Sequence, residues 1–235
     1  MQTFKPSWLL RFLVALFLLL PSVILFGVAI WNPGARTVTL AFAVPLGAIG
    51  VGLWIPLGRS QLTIDDKTMK QRRAFGGETA LRFDEVSEYR YQCVTVNGVD
   101  QLSLELRAPD GRKIKIGPHW RDVFELIQLL LERTEPLLRS PSFGPVSIEG
   151  DGDGDALVYK DKRVPFGEIA GVTLDGARLR VARKNKLLAA FAVGSLKVPN
   201  VFLLLDELRD RGLAAADARP WRAVVSVAGF QVPKR

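Results

Sequence analysis

Apolar residues run almost unbroken from Trp8 to Trp31 and again from Val38 to Leu57, after which the chain changes to short alternating runs. A helix needs roughly 20 apolar residues to cross the hydrocarbon core of a bilayer, so each run predicts a membrane-spanning helix. Asn32-Pro33-Gly34-Ala35-Arg36-Thr37 separates them and reads as a tight turn. The pair is expected to form a hairpin anchor over residues 1–59, with spans near 8–31 and 38–57. Trp8, Trp31 and Trp54 sit near span ends, as interfacial aromatics do, and Arg11 is close enough to an end for its side chain to reach the interface. Gly47 and Gly50 offer a surface for close approach of one helix to the other. A cleaved signal peptide ending near Gly27-Val28-Ala29 is the rival reading. Its apolar run would be longer than an ordinary signal core of about 7–15 residues.

Beyond residue 60 the periodicity is that of strands. Leu62-Thr63-Ile64 alternates into the turn Asp65-Asp66, and strand-like runs follow at Leu81–Val86, Ser87–Val96, Leu102–Leu106 and Lys113–Ile116. Asn97-Gly98 and Pro109-Asp110-Gly111 are hairpin turns between them. The period then becomes helical, with Val123, Phe124, Ile127, Leu130 and Leu131 on one face of a helix reaching about Glu135. The same order returns. Val146-Ser147-Ile148-Glu149 matches Leu62-Thr63-Ile64-Asp65, Phe166-Gly167-Glu168-Ile169 matches Phe83-Asp84-Glu85-Val86, and Val201, Phe202, Leu205 and Leu208 repeat the helical face. The chain therefore divides into a unit over 60–138, a linker over 139–145, a second unit over 146–212 and a tail over 213–235. The tail ends in an apolar stretch able to form a strand, either docked on its own sheets or offered to a partner. The expected fold class is a membrane α-helical hairpin plus an α+β, mainly β, part. Each unit is a small bent antiparallel sheet closed by one C-terminal amphipathic helix.

Strands followed by a single capping helix, with the paired elements Phe83-Asp84-Glu85-Val86 and Phe166-Gly167-Glu168-Ile169 behind a helical hairpin, resemble the bacterial pleckstrin-homology-like (PH-like) domain membrane proteins. The resemblance covers roughly residues 60–212. It implies two tandem PH-like units, each a partial barrel capped by its helix, and a role in binding rather than catalysis. Lys70-Gln71-Arg72 matches the Lys-x-Arg pattern with which pleckstrin-homology domains hold inositol phosphates. The second unit is shorter, and three glycines interrupt its early strands.

Charge narrows the partners. Four of the 32 basic residues and none of the 24 acidic ones fall in residues 1–60, which leaves 28 basic against 24 acidic in the remainder. Half of the net +8 belongs to the anchor, so the basic footprint of a nucleic-acid binder is missing from the rest. Lys5 and Arg11, then Arg59, Lys67, Lys70, Arg72 and Arg73, flank the spans, whereas the turn carries only Arg36. The positive-inside rule puts both termini in the cytoplasm of a multi-pass plasma-membrane protein. Two clusters are candidates for contact with lipid or a partner: Lys67, Lys70, Arg72 and Arg73, and Arg178, Arg180, Arg183, Lys184 and Lys186. The first lies close enough to an anionic surface to gain about 1 kcal/mol per cation. The second reads as a strand face and hairpin tip, and as a charged sheet edge that resists edge pairing.

Catalytic signals are scarce. The single histidine, His119, cannot build a histidine-rich metal site, and the single cysteine, Cys93, excludes an internal disulfide and reads as a buried strand thiol. Asp151-Gly152-Asp153-Gly154-Asp155 resembles a calcium loop. Ala156 and Lys162 stand where an EF-hand needs glycine and glutamate, so it reads as an acidic turn. No nucleotide-binding glycine loop or nucleophile elbow occurs. No catalytic, cofactor or metal residue is expected. The sequence points to a membrane-anchored scaffold that binds a protein partner or the anionic lipid surface. The alternative is an accessory subunit of a membrane enzyme, transport or assembly complex.

Overall fold

A computed structural model describes residues 1–138, 141–150, 154–175, 177–186 and 188–213 of the 235-residue chain. The described residues form two compact units, Met1–Arg82 with His119–Arg121, and Phe83–Pro118 with those from Asp122 to Leu213.

The first unit holds the helical hairpin and a small sheet. Helix α1 (Trp8–Val14) passes through a π-helical turn, Ala15–Leu19, into α2 (Leu20–Trp31). Pro21 has no N–H to give to the carbonyl four residues back, and Leu20 instead donates to Ala15, one residue farther away than in an α-helix. After a 3-10 turn at Pro33–Ala35, α3 (Arg36–Arg59) returns antiparallel. Two helices, Arg11–Trp31 and Pro33–Arg59, are long and apolar enough to cross a membrane. Small residues on α3 face the first helix. Ser22 donates to the Ala43 carbonyl at 2.8 Å, a Cβ on Gly47 would stand 2.7 Å from Ser22 Oγ, and one on Gly50 would stand 2.5 Å from Leu19 Cδ2. Nearer the chain ends of the hairpin, the Arg11 guanidinium lies 4.7 Å above the Trp54 ring.

The sheet of this unit has the order β1-β2-β3-β4, from β1 (Gln2–Phe4), β2 (Gln61–Ile64), β3 (Thr68–Arg72) and β4 (Glu78–Arg82). The three residues of β1 were expected to belong to the anchor. They pair antiparallel with β2, Gln2 opposite Ile64 and Phe4 opposite Leu62. The ladder thus joins the segment that enters the hairpin to the segment that leaves it. Beyond β1, Ser7 donates to the His119 carbonyl at 2.6 Å and Arg121 to the Lys5 carbonyl at 3.2 Å.

Among the described residues, the second unit holds three three-stranded meanders and two α-helices. The first sheet is β5-β6-β7, from β5 (Glu88–Val96), β6 (Val99–Arg107) and β7 (Lys113–Ile116), followed by α4 (Val123–Thr134). The second has β9 (Ala156–Tyr159) between β8 (Val146–Glu149) and β10 (Lys162–Pro165). The third is β11-β12-β13, from β11 (Ile169–Asp175), β12 (Arg178–Arg183) and β13 (Ala189–Gly194), followed by α5 (Val201–Asp210). Helix α4 buries Ile127, Leu130 and Leu131 of the expected face together with Leu126 and Thr134, while Val123 and Phe124 in its first turn are half-buried. Helix α5 ends in a Schellman motif: Gly212 (φ +73°) donates to Arg209 and Leu213 to Leu208, satisfying carbonyls the helix leaves open.

From β2 to α5 the chain runs twice through three strands, a 3-10 turn, three strands and a helix. The run expected as one strand from Leu81 to Val86 breaks after Arg82, because Phe83-Asp84-Glu85 forms that turn, as Phe166-Gly167-Glu168 does in the second pass. Each turn's phenylalanine lies under an arginine of its own pass, Arg133 at 5.8 Å from the Phe83 ring and Arg211 at 5.3 Å from Phe166. Both helices also begin after a left-handed residue, Asp122 (φ 53°) and Asn200 (φ 54°). The expected strand in the tail and the acidic run Asp151–Asp153 lie outside the described residues.

Candidate functional site

The first predicted cation cluster separates along its strand. Lys67 is exposed in the β2–β3 turn, Lys70 is exposed in the middle of β3 opposite Thr63 and Ala80, and Arg72 is exposed at the far end opposite Gln61 and Glu78. Arg72 and Arg73 line a concavity, where they meet Arg59 from the last turn of α3. Ala74, Gly76, Gly77 and Glu78 complete its lining, around a volume of about 450 Å³. Strand alternation explains the arrangement. Met69 and Gln71 are buried, which turns Lys70 and Arg72 outward. Three guanidinium groups and one carboxylate make this a cationic hollow whose planar donors suit phosphate or carboxylate oxygens. Arg59 closes the anchor in the sequence yet lines the hollow here, and Phe75 stands 70% exposed in the adjoining turn. The legible signal was the string Arg72-Arg73-Ala74-Phe75-Gly76-Gly77, basic, aromatic and diglycine in succession.

The second cluster is not a sheet edge. Strand β12 lies between β11 and β13, so Arg178 and Arg180 stand on the solvent face of a central strand, where edge protection has no role. Leu179 and Val181 fill the opposite face. Acidic residues partly offset the charge: Arg180 pairs with Asp175 at 3.2 Å and Arg183 with Glu168 at 3.5 Å. Lys184 and Lys186 are exposed at the hairpin turn, where Asn185 adopts φ 57°.

A second hollow of about 850 Å³ in the other unit contains none of the predicted residues. Asp84, Glu85, Asp110 and Arg112 stand on it beside Pro136–Leu138, and Arg112 bonds Asp110 and, at 3.2 Å, Glu85. Its charges are thus spent largely on one another. Among the described residues, no group of three or more histidine, cysteine or carboxylate side chains is disposed to hold a metal ion.

Sequence reasoning also missed a buried polar joint. Asn200, with no exposed surface, donates its N–H to the Tyr89 carbonyl at 2.8 Å, accepts the Tyr89 N–H on Oδ1 at 3.0 Å, and donates from Nδ2 to the Ser142 carbonyl at 3.0 Å. The Tyr89 hydroxyl donates to Glu135 at 2.9 Å and accepts the Phe202 N–H at 3.2 Å. Burial, then the Glu135 charge, pushes this phenol well above its ordinary range. The Phe202 ring lies 4.8 Å from that of Tyr91. Asp155, buried at the end of the acidic run, forms an ion pair with Arg211 beyond α5.

No protein-family model matches the chain, and no curated protein matches it. Among solved structures, it is similar to a chain of the Spt16D–Pob3N heterodimer, at 12% identity and a TM-score of 0.23, over 58% of this chain and 88% of that one. At so low a score the strand order above, and not the likeness, carries any description of the fold.

Proposed function

We propose that this protein is a non-enzymatic, membrane-anchored interaction protein, a hairpin anchor followed by two tandem PH-like units at the cytoplasmic face of the plasma membrane. The observation that carries the anchor reading is the β1–β2 ladder. It ties the residues before the first apolar helix to those after the second, as a hairpin with both ends on one side requires. The contacts of Ser22 with Ala43 and Gly47 are of the kind that holds helices together in lipid, where the hydrophobic effect does not. The PH-like reading is supported by the doubled order of strands, turn and helix. Cationic surfaces near the anchor favour anionic lipid or an acidic protein partner as the ligand.

Two measurements test this. The chain should stay with membranes in alkaline carbonate. In sealed right-side-out membranes, a cysteine introduced at Gly34 should react with an impermeant maleimide, while cysteines introduced at Gln2 and Glu149 should not. Extraction by carbonate removes the anchor reading, and labelling at Gln2 with protection at Gly34 reverses the topology.

A further inference from the structure

The β3–β4 turn stands at the helix end of its sheet. Gln61, two residues past the end of α3, pairs with Arg72, and Arg72 pairs with Glu78. On the other side of β2, Phe4 pairs with Leu62, so Lys5, on the way into α1, continues the same row. Strand β3 therefore runs back toward the two helix ends, and the turn Arg73–Gly77 projects at their level. The β2–β3 turn, with Lys67, lies at the opposite end of the strands, roughly 15 Å away at about 3.3 Å per residue.

Three features coincide in the projecting turn. Arg59 and Arg72, with Arg73 beside them, line the 450 Å³ hollow. Phe75 next to it is 70% exposed. Gly76 and Gly77 have φ values of +90° and +76°, and nothing stands within 4 Å of where a Cβ would be on either, which leaves that side of the hollow open. In water, a phenyl ring left 70% exposed removes little of its apolar surface from solvent. At the surface of a bilayer the ring can enter the acyl boundary while the guanidinium forks meet phosphate oxygens. Arg73 has interactions of its own, so the argument rests on Arg59 and Arg72.

We infer that this turn binds the phosphate of an anionic lipid in the leaflet from which α3 emerges. Arg59 and Arg72 hold the headgroup and Phe75 enters the lipid beside it. The inference rests on the membrane-anchor reading above. It assigns Arg72 to the site and leaves Lys67 outside, although the two are neighbours in the sequence.

The test uses the full chain in nanodiscs of phosphatidylcholine with a minor fraction of phosphatidylglycerol. The phosphatidylglycerol retained per chain after detergent exchange is counted by native mass spectrometry. Arg59→Gln and Arg72→Gln should each lower retention about five-fold, the effect of one cation near an anionic surface. Arg72→Lys should keep more than Arg72→Gln, Phe75→Ala should lower retention, and Lys67→Gln should leave it unchanged. Circular dichroism confirms that each variant is folded. Wild-type retention in both glutamine variants, or an equal loss in Lys67→Gln, overturns the site. A second arm adds inorganic phosphate to the chain in maltoside micelles. Arginine-dependent phosphate binding without phosphatidylglycerol retention would mark a soluble-anion site and overturn the lipid assignment. Carbonate extraction of the cell membranes from which the chain is purified separates the two readings. Release of wild type removes the anchor, whereas retention in the membrane with no arginine effect removes this inference alone.

Discussion

Asn200 shows how one side chain can be satisfied only by the folded chain. Its left-handed backbone is a conformation that asparagine tolerates better than most residues. Its amide then supplies the hydrogen-bonding that a neighbouring strand would have given Tyr89. Asn200→Ala leaves the Tyr89 N–H buried without this acceptor and should cost about 1–3 kcal/mol, read as a lowered denaturation midpoint at unchanged slope. Nothing in Pro199-Asn200 announces this, because Tyr89 is 111 residues away in the chain. An asparagine before a helix reads as an N-cap, yet its side chain makes no cap bond here. Cys93 was legible by contrast, since strand alternation alone puts it with Tyr89 and Tyr91 on the buried face. Burial pushes its thiol up, the Asp100 charge adds to this, and a hydrogen bond with Tyr91 opposes it. The thiol should resist iodoacetamide at neutral pH in the native protein and react only on unfolding, measured by mass shift.

Among the elements, the long periodic helices and the alternating strands β2, β7 and β8 could be read from the sequence, and an element without a pattern could not. The two spans and both amphipathic helices follow from apolar repeats many residues long. β1 has three residues and no pattern of its own, and it exists because the hairpin delivers it to the edge of β2. The basic hollow was half legible for a related reason. Its cations come from a helix end and a strand end that only register brings together. The β5-β6-β7 sheet carries a charged outer face in which Glu105 meets Lys115 at 2.8 Å and Arg107 beside it. Burial raises the carboxyl's pKa, but hydrogen bonds from Lys115 and Arg107 outweigh that and hold it below 4.5. A depressed carboxylate stabilises the fold above its unfolded pKa, and that contribution fades as pH falls through the lower folded value. Stability should therefore decline with acid below about pH 4.5, and Glu105→Gln should flatten that part of the profile in denaturant titrations across pH. In the hairpin, Gly50→Leu would bring a side chain to where Leu19 Cδ2 already stands 2.5 Å from a Cβ. It should spread the helices, seen as a longer spin-label distance between the chain ends of α1 and α3.

In the molecule as a whole, the two passes of strands and helix are not independent beads. β5 belongs to the first pass and α5 to the second, yet Tyr89 on β5 bonds both Asn200 and the Phe202 N–H at the start of α5, and Glu135 at the end of α4. Phe202 stacks over Tyr89 and lies against Tyr91, so apolar and polar contacts coincide at one joint. A linker of seven residues suggested by composition says nothing of such a joint, because the residues that make it are spread from 89 to 202. The energetic consequence is coupling. Tyr89→Phe keeps the ring and removes the hydroxyl, which leaves the Glu135 carboxylate and the Phe202 N–H each without that partner. Both helices should loosen together, at a cost of about 1–3 kcal/mol. Hydrogen exchange on the full chain reads this directly. If the joint couples the passes, amides of α4 and α5 exchange faster by a common factor in Tyr89→Phe, and the Tyr89→Phe, Asn200→Ala double variant loses less stability than the sum of the two single changes, as contacting residues in one network do. If α5 alone speeds up and the two losses add, the passes are separately stable and the joint only orients them.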